Sequence, residues 1–362
     1  MTILGWKLER GAAPLWAQAL TPFLAIAITF VVTAVLVWAA GVNPFAAFYV
    51  MLIDPLTASV SALEVLVKAT PLLMTGLAVV FAFRGGYYNI GAEGQLYAGA
   101  LAAAWIGQLP LAQTLPAAAV LPLLLLGGFL AGLLWALAPA WLRTRLGVDE
   151  VVTTLLLNSV MLYLINAVLN TYWLDPVTNW PQSPRLAPAA EYPVLVAQSR
   201  VHLGLLVGLL VMALLWWVLN RTPFGLRLRA TGLNKEAARF MGVNVARVAL
   251  TAALVSGGLA GLAGVGEVAG IHHRLLEDIS PGYGYSGIVV ATLGGTDPLG
   301  AGLAAVFIAL IEVGGQSVSR QLGLPTFLAD VVQAALLLSM LGVLLLTRYR
   351  LRRVKPEPHA AH

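Results

Sequence analysis

PLLMTGLAVVFAFRGGYYNIGAEGQLYAGALAAAW, residues 71–105, holds two apolar runs separated by a polar dozen, Arg84 to Gln95. That dozen contains four glycines together with Asn89, Glu93 and Gln95. A phosphate-binding or catalytic loop, a ligand site and a turn between helices would all look like this. The flanking runs, near 62–83 and 88–107, are each long enough to cross a hydrocarbon core of about 30 Å as helices. Length therefore favours a turn between two membrane helices, and the rest of the chain bears on that reading.

Of 362 residues, 59% are hydrophobic and 10% charged, where a soluble chain of this size carries about 25% charged residues. The mean hydropathy is +0.86. So little polar surface cannot coat a globule in water, and the fold class that follows is an all-α integral membrane protein. Further apolar runs lie near 20–40, 115–139, 149–172, 201–219, 246–266, 284–295, 300–316 and 326–347, which makes about ten transmembrane helices. The run at 284–295 is short and glycine-rich, as a broken or re-entrant element packed inside protein would be. The first run lacks a small-residue cleavage site and is too long for a signal-peptide core, so it reads as a retained anchor. Residues 1–347 form one transmembrane domain on this reading, and 348–362 a basic, unstructured cytoplasmic tail.

Charge distribution orients the spans. With a cytoplasmic N-terminus, sixteen of the twenty-one Lys and Arg fall in inner segments, among them Lys7, Arg84, Arg143, Arg145 and the cluster from Arg221 to Arg247. Lys68, Arg185, Arg200, Arg274 and Arg320 fall outside or near the outer interface. This is the positive-inside pattern with both termini inside, and the net charge of +5 needs no nucleic acid to explain it.

Two connecting segments are long. The outer one, 172–200, is rich in Pro, Trp and Tyr and reads as an ordered loop with room for a short helix. The inner one, 220–248, is basic. Within it Asn234 suits an N-cap, Lys235 to Met241 are helix formers, and Gly242 suits the left-handed position after a helix. A helix of about two turns is too short to stand alone in water. It must dock on its own membrane domain or on a partner. A weak repeat links AGALAAAW (98–105) with GAGLAAVF (300–307), each after a glycine-rich polar turn.

Several chemistries are excluded. There is no GxxxxGK[ST], and none of Lys7, Lys68, Lys235 and Lys355 is placed as a P-loop lysine. GYGYSG (282–287) has the wrong spacing for a nucleophile elbow. The absence of cysteine removes disulfides, thiolate metal sites and thiol nucleophiles. Adjacent His272 and His273 lack a third ligand at metal spacing, so no metal site, cofactor site or catalytic residue is expected. What remains is polar character within the membrane. Glu312 lies inside the ninth run, and intramembrane carboxylates mark function by default. Glu64 and Glu267 read as interfacial. Asn158, Asn166 and Asn170 share a helical face, which could line a pathway for a hydroxylated solute or tie helices together. Within the dozen, Asn89 is placed to cap the next helix. Gly91 and Gly94 allow close backbone approach. Glu93 and Gln95 either hold the break or line the inner mouth of a pathway.

Four blocks carry a resemblance: residues 71–105, RLGVDEVVTTLLLNSVMLYL (145–164), TPFGLRLRATGLNKEAARFMGVN (222–244) and GYSGIVVATLGGTDPLGAGLAAVF (284–307). In this order the chain resembles the permease subunits of binding-protein-dependent ABC importers of the ribose and branched-chain amino acid class. It is most similar to the branch that takes up nucleosides. The resemblance implies that Glu236, Ala237, Ala238 and Gly242, with Asn234 and Arg239 beside them, engage a separate ATPase subunit. ATP and magnesium would bind that partner, leaving this chain no enzyme. It also implies a second permease subunit, expected to be a different chain, and a periplasmic or lipid-anchored solute-binding protein on the outer loops. The expected setting is the bacterial inner membrane, and the expected cargo a nucleoside-like polar solute. A pentose or other simple sugar is the alternative. An ion-coupled secondary transporter is a weaker one, because only Glu312 and Glu93 would serve it as midplane carboxylates.

Overall fold

The structure, a computed structural model, describes residues 2–3, 6–10, 15–174 and 179–353. Its helices are α1 (Leu15–Ala39), α2 (Pro44–Leu52), α3 (Asp54–Thr57), α4 (Ser59–Arg84), α5 (Ala92–Gln108), α6 (Pro110–Thr114), α7 (Ala117–Trp141) and α8 (Glu150–Thr171). They continue with α9 (Leu203–Arg221), α10 (Pro223–Leu233), α11 (Lys235–Phe240), α12 (Val245–Glu267), α13 (Tyr283–Leu293), α14 (Pro298–Leu322) and α15 (Leu328–Arg348). Eight are long and apolar enough to cross a membrane. This is a multi-pass membrane protein of the all-α class, its membrane-crossing elements all helices, and each of the ten apolar runs has its helix.

α13 has 11 residues, about 16 Å at 1.5 Å per residue, and so cannot span. Its start lies deep in the bundle, where exposed backbone N–H groups would be costly unless protein satisfies them. Glu93 does so, its Oε2 accepting from Gly284 N at 2.6 Å. Ser280 Oγ accepts from the N–H groups of Gly282 and Tyr283. The broken element expected at 284–295 is therefore a short helix held at its N-terminus by a carboxylate from α5.

α12 is the hub, with α4, α5 and α7 packed around it. Small residues set the spacing. A Cβ at Gly99 would lie 2.1 Å from the carbonyl oxygen of Gly261, so α5 and α12 touch backbone to backbone.

Two ends are distinct. At the basic end, Arg84 Nε donates to Thr296 O (2.8 Å) and its Nη2 pairs with Asp297 Oδ2 at 3.1 Å. Arg143 pairs there with Glu150 at 2.8 Å, and Gly86 packs on Gly232 of α10. At the opposite end the 179–201 segment lies over the turn after α12. Ser183 N donates to Leu275 O, Leu186 N to His273 O and Tyr192 N to Ala269 O. This loop carries the short helix allowed for it, a 3-10 turn at Pro188–Ala190; residues 175–178 lie outside the described residues.

Three features differ from expectation. The α2–α3 pair and α10 were read as connecting chain. Asn43 before Pro44 and Thr222 before Pro223 are each a cap followed by a first-turn proline, a start signal that apolar length does not register. The tail read as unstructured begins as a strand, Tyr349–Arg353, paired antiparallel with Trp6–Arg10, which also pairs with Thr2–Ile3. Residues 354–362 lie outside the described residues. The turns that end α4 and α13 share a backbone shape, although they are not the turns that the weak repeat sets opposite each other. Gly85 and Gly294 are both near φ −83 and −72 with ψ near zero, and Gly86 and Gly295 follow at φ +69 and +65. Arg84 ties the two turns together.

Candidate functional site

α11 is the most exposed element of the basic end. Asn234 Oδ1 accepts from Glu236 N and Ala237 N, each at 3.0 Å, satisfying two of the free N–H groups that open a helix. Gly242, at φ +80, ends it. Ala238 is buried against the chain's own bundle and its carbonyl accepts from Val243 N. Glu236, Ala237, Arg239 and Gly242 face outward. Around them Phe240 is 94% exposed, Leu233 79% and Met241 66%. The helix docks at home through one alanine and presents a charged, apolar-edged face outward.

Further inside this end, the Arg84–Gln95 dozen folds into a knot. Asn89 Nδ2 donates to Gln95 Oε1 (2.8 Å) and Ser256 Oγ (2.9 Å), and its Oδ1 accepts from Gly91 N and Gln95 Nε2. Ser256 in turn donates to Ala78 O at 2.7 Å. Asn89 is thus no N-cap: α5 starts after Gly91 without a side-chain cap, and Asn89 is drawn inward by Gln95 and Ser256. Asn158 joins from α8. Its Oδ1 accepts from Gly94 N (2.9 Å), while its Nδ2 donates to Ile90 O (2.9 Å) and Tyr285 Oη (3.1 Å). A Cβ at Gly94 would lie 3.0 Å from Asn158 Oδ1, so the close approach read from Gly91 and Gly94 is used by α8.

Of the pathway candidates, the structure gathers Asn89, Glu93, Gln95 and Asn158 around this one turn and the start of α13. Asn166 stands apart, donating to the Glu277 carboxylate. Glu312 accepts from Gln333 Nε2 at 3.4 Å, and Gln333 Oε1 accepts from Ser286 Oγ at 2.7 Å.

At the opposite end a cavity of about 210 Å³ opens among α4, the turn after α12 and the start of α13, with Glu64, Lys68, Arg200, Glu267, His272 and Asp278 in its wall. Lys68 Nζ donates to Tyr283 Oη at 2.8 Å, and Arg200 pairs with Glu64 at 2.5 Å. Glu267 is 4% exposed; it was read as interfacial, and the π-helical turn Val268–His272 folds over it instead. Sequence reasoning also missed Lys68, although a lysine inside an apolar run is a signal of the kind that flagged Glu312. Ser256 carries no such signal.

Eight helices able to cross a membrane, with one short helix held inside the bundle, make a multi-pass membrane protein. The chain belongs to the family described as branched-chain amino acid transport system / permease component, whose model matches residues 61–341. It is 37% identical to the glucose ABC transporter permease protein TsgB13 of Haloferax volcanii, over 94% of this chain and 92% of that protein. It is 35% identical to the guanosine ABC transporter permease protein NupP of Bacillus subtilis, over 76% and 79% respectively. A second guanosine permease protein of that bacterium, NupQ, is 29% identical over 68% of this chain and 79% of its own length. The chain is an ABC transporter permease subunit.

Proposed function

We propose that this permease moves a nucleoside-like polar solute from a solute-binding protein into the cytoplasm, driven by ATP hydrolysed on a separate subunit. The observation that carries the reading is α11, which exposes Phe240, Met241 and Leu233 beside the outward-facing Glu236 and Arg239. Apolar side chains left this open want a partner surface. A short rigid helix seated in an ATPase cleft would pass rigid-body motion to α10 and α12 on either side of it. The basic end is then cytoplasmic, both chain termini are inside, and the membrane is the inner, plasma membrane. ATP and magnesium belong to the partner ATPase.

A second permease completes the pathway. Similarity to both NupP and NupQ, two proteins of one bacterium, supports two different chains, a heterodimer. The binding protein docks on the opposite end, over the 179–201 loop and the cavity mouth. Guanosine in the names of NupP and NupQ supports a nucleoside, while the higher identity to a glucose permease supports a simple sugar as the second reading. Co-expression with the operon's neighbours, followed by measuring which nucleosides, bases or sugars stimulate ATP hydrolysis with the receptor present, decides between them. Stimulation by nucleosides and not by glucose or ribose is the expected result. ATP hydrolysis indifferent to all three classes would sink the reading.

A further inference from the structure

The cavity at the opposite end differs from the sealed polar turn of the basic end. Glu267 lies in its wall with a side chain 6% exposed; among the described residues the one basic side chain within 4 Å is His272, its Nε2 3.7 Å away and beyond hydrogen-bond reach, and the carboxylate has no hydrogen-bond donor. A carboxylate removed from water without donors is costly, so its position asks for a donor that arrives. Lys68 spends one of its three N–H donors on Tyr283 and keeps the others on the cavity side.

The sign of the charges narrows what arrives. An anion would meet Glu64, Glu267 and Asp278, and a cation would meet Lys68 and Arg200. A neutral group that both donates and accepts suits all of them, and hydroxyl is the group with that property. Two adjacent hydroxyls match the two oxygens of one carboxylate. The space of about 210 Å³ equals roughly seven waters at about 30 Å³ each, the scale of one sugar ring. Ile271, Ile279 and Pro281 give an apolar wall for the ring's C–H face.

We propose that this cavity is a binding site of the permease itself for the vicinal hydroxyls of a sugar ring, with Glu267 accepting from both and Lys68 donating to a ring or hydroxyl oxygen. It rests on the reading above that the cargo carries a sugar. The sugar would enter here on leaving its receptor, with any attached base remaining outside the cavity.

The chain has no cysteine, so Asp278→Cys, exposed at the mouth, gives a single label site in this chain, read on its own band after the assembled transporter is labelled. The measurement is its labelling rate by a membrane-impermeant maleimide with D-ribose, guanosine, 2′,3′-dideoxyguanosine or choline chloride present. Ribose and guanosine should slow labelling at least about threefold, while the dideoxy compound and the salt should not. Adding Glu267→Gln should remove the protection and, in otherwise unaltered transporter, raise the half-saturating solute concentration for uptake about tenfold with maximal rate retained, the scale of one lost charged hydrogen bond. Lys68→Met should do the same, and His272→Gln, at a half-exposed position, should weaken protection without threatening the fold. Protection by choline, or none by any hydroxylated compound while wild-type uptake of that compound is normal, overturns this site and leaves the proposed function standing. Protection without uptake of any sugar-bearing solute overturns the proposed function and leaves the site.

Discussion

At the basic end, Asn89, Gln95, Ser256 and Asn158 are bonded to one another or to backbone inside the bundle. Nearby, only Tyr87 Oη and Trp135 Nε1 are buried without a partner among the described residues. At the opposite end, the Glu267 carboxylate has no hydrogen-bond donor among the described residues and faces a cavity whose wall also carries Lys68, Arg200 and His272. Both ends place polar groups at membrane depth, where each unmet group is costly. One end meets the cost with protein and becomes scaffold. The other leaves donors and acceptors facing open space. Polarity at depth therefore does not by itself mark a pathway, and the state of the partners separates the two cases.

The largest expected effect is on transport, at the exposed helix of the basic end. Replacing Glu236 and Gly242 together should abolish uptake while the receptor's affinity for solute stays at the wild-type value, because both residues face outward from a helix that the bundle holds through Ala238. Stability should fall only by the backbone cost of about 1–2 kcal/mol for replacing Gly242 at φ +80, since nothing lies within 4 Å of its Cβ position. Normal uptake by the double variant would remove α11 from the coupling role.

Asn89→Leu should be the most destabilising single change. It strips partners from Gln95 and Gly91 N and removes one of the two bonds at Ser256 Oγ; at about 1–3 kcal/mol for each of the two buried groups left unmet the loss is roughly 2–6 kcal/mol. Glu267→Gln at the other end should stay within about 0.5 kcal/mol of wild type, because no protein hydrogen bond depends on it. Unfolding midpoints in detergent measure both. Equal losses would erase the distinction between scaffold and open site.

Acid should attack the cavity end first. His202 is buried before α9, its Nδ1 accepting from Gly204 N while Nε2 has no partner among the described residues. Burial, and then His273, depress its pKa from the usual 6.5 to about 4. The folded chain refuses the proton down to about 4 while the unfolded chain accepts it below 6.5. Stability is therefore full above about 6.5 and falls as pH drops toward 4, by an amount on the order of 3 kcal/mol. The basic end has no histidine among its described residues. Hydrogen exchange at pH 5 should rise in the 179–202 segment before it rises around Asn89, and His202→Gln should flatten the response. Uniform loss of protection would count against this account.

Much of this architecture is legible in residue order. Ten apolar runs each became a helix, and the cap and glycine at Asn234 and Gly242 placed α11 to within a residue, because span length and helix ends are local properties. The site was legible only in pieces. Asn89 looks like a cap until Ser256, 167 residues away, draws it inward. Glu267 looks interfacial because nothing in the run before it announces the π-helical turn that covers it. Partners brought together by tertiary packing leave no mark on local spacing.

The smallest expected effects test the two turns of like backbone shape that follow α4 and α13. Gly86 and Gly295 both sit at left-handed φ, +69 and +65, so alanine at either carries a backbone cost of about 1–2 kcal/mol. Their surroundings differ. A Cβ at Gly86 would lie 3.1 Å from Gly232 Cα and 3.5 Å from Lys235 Cε, whereas at Gly295 nothing lies within 4 Å. Gly295→Ala should thus show the backbone cost alone, with uptake unchanged. Gly86→Ala should be the more destabilising by about 1 kcal/mol, since a tightly packed neighbour must move. That neighbour is the end of α10, which leads directly into α11, so uptake should fall as well. Equal unfolding midpoints with equal uptake would mean that contact with α10 contributes nothing, and that the two turns are interchangeable in mechanics as well as in backbone shape.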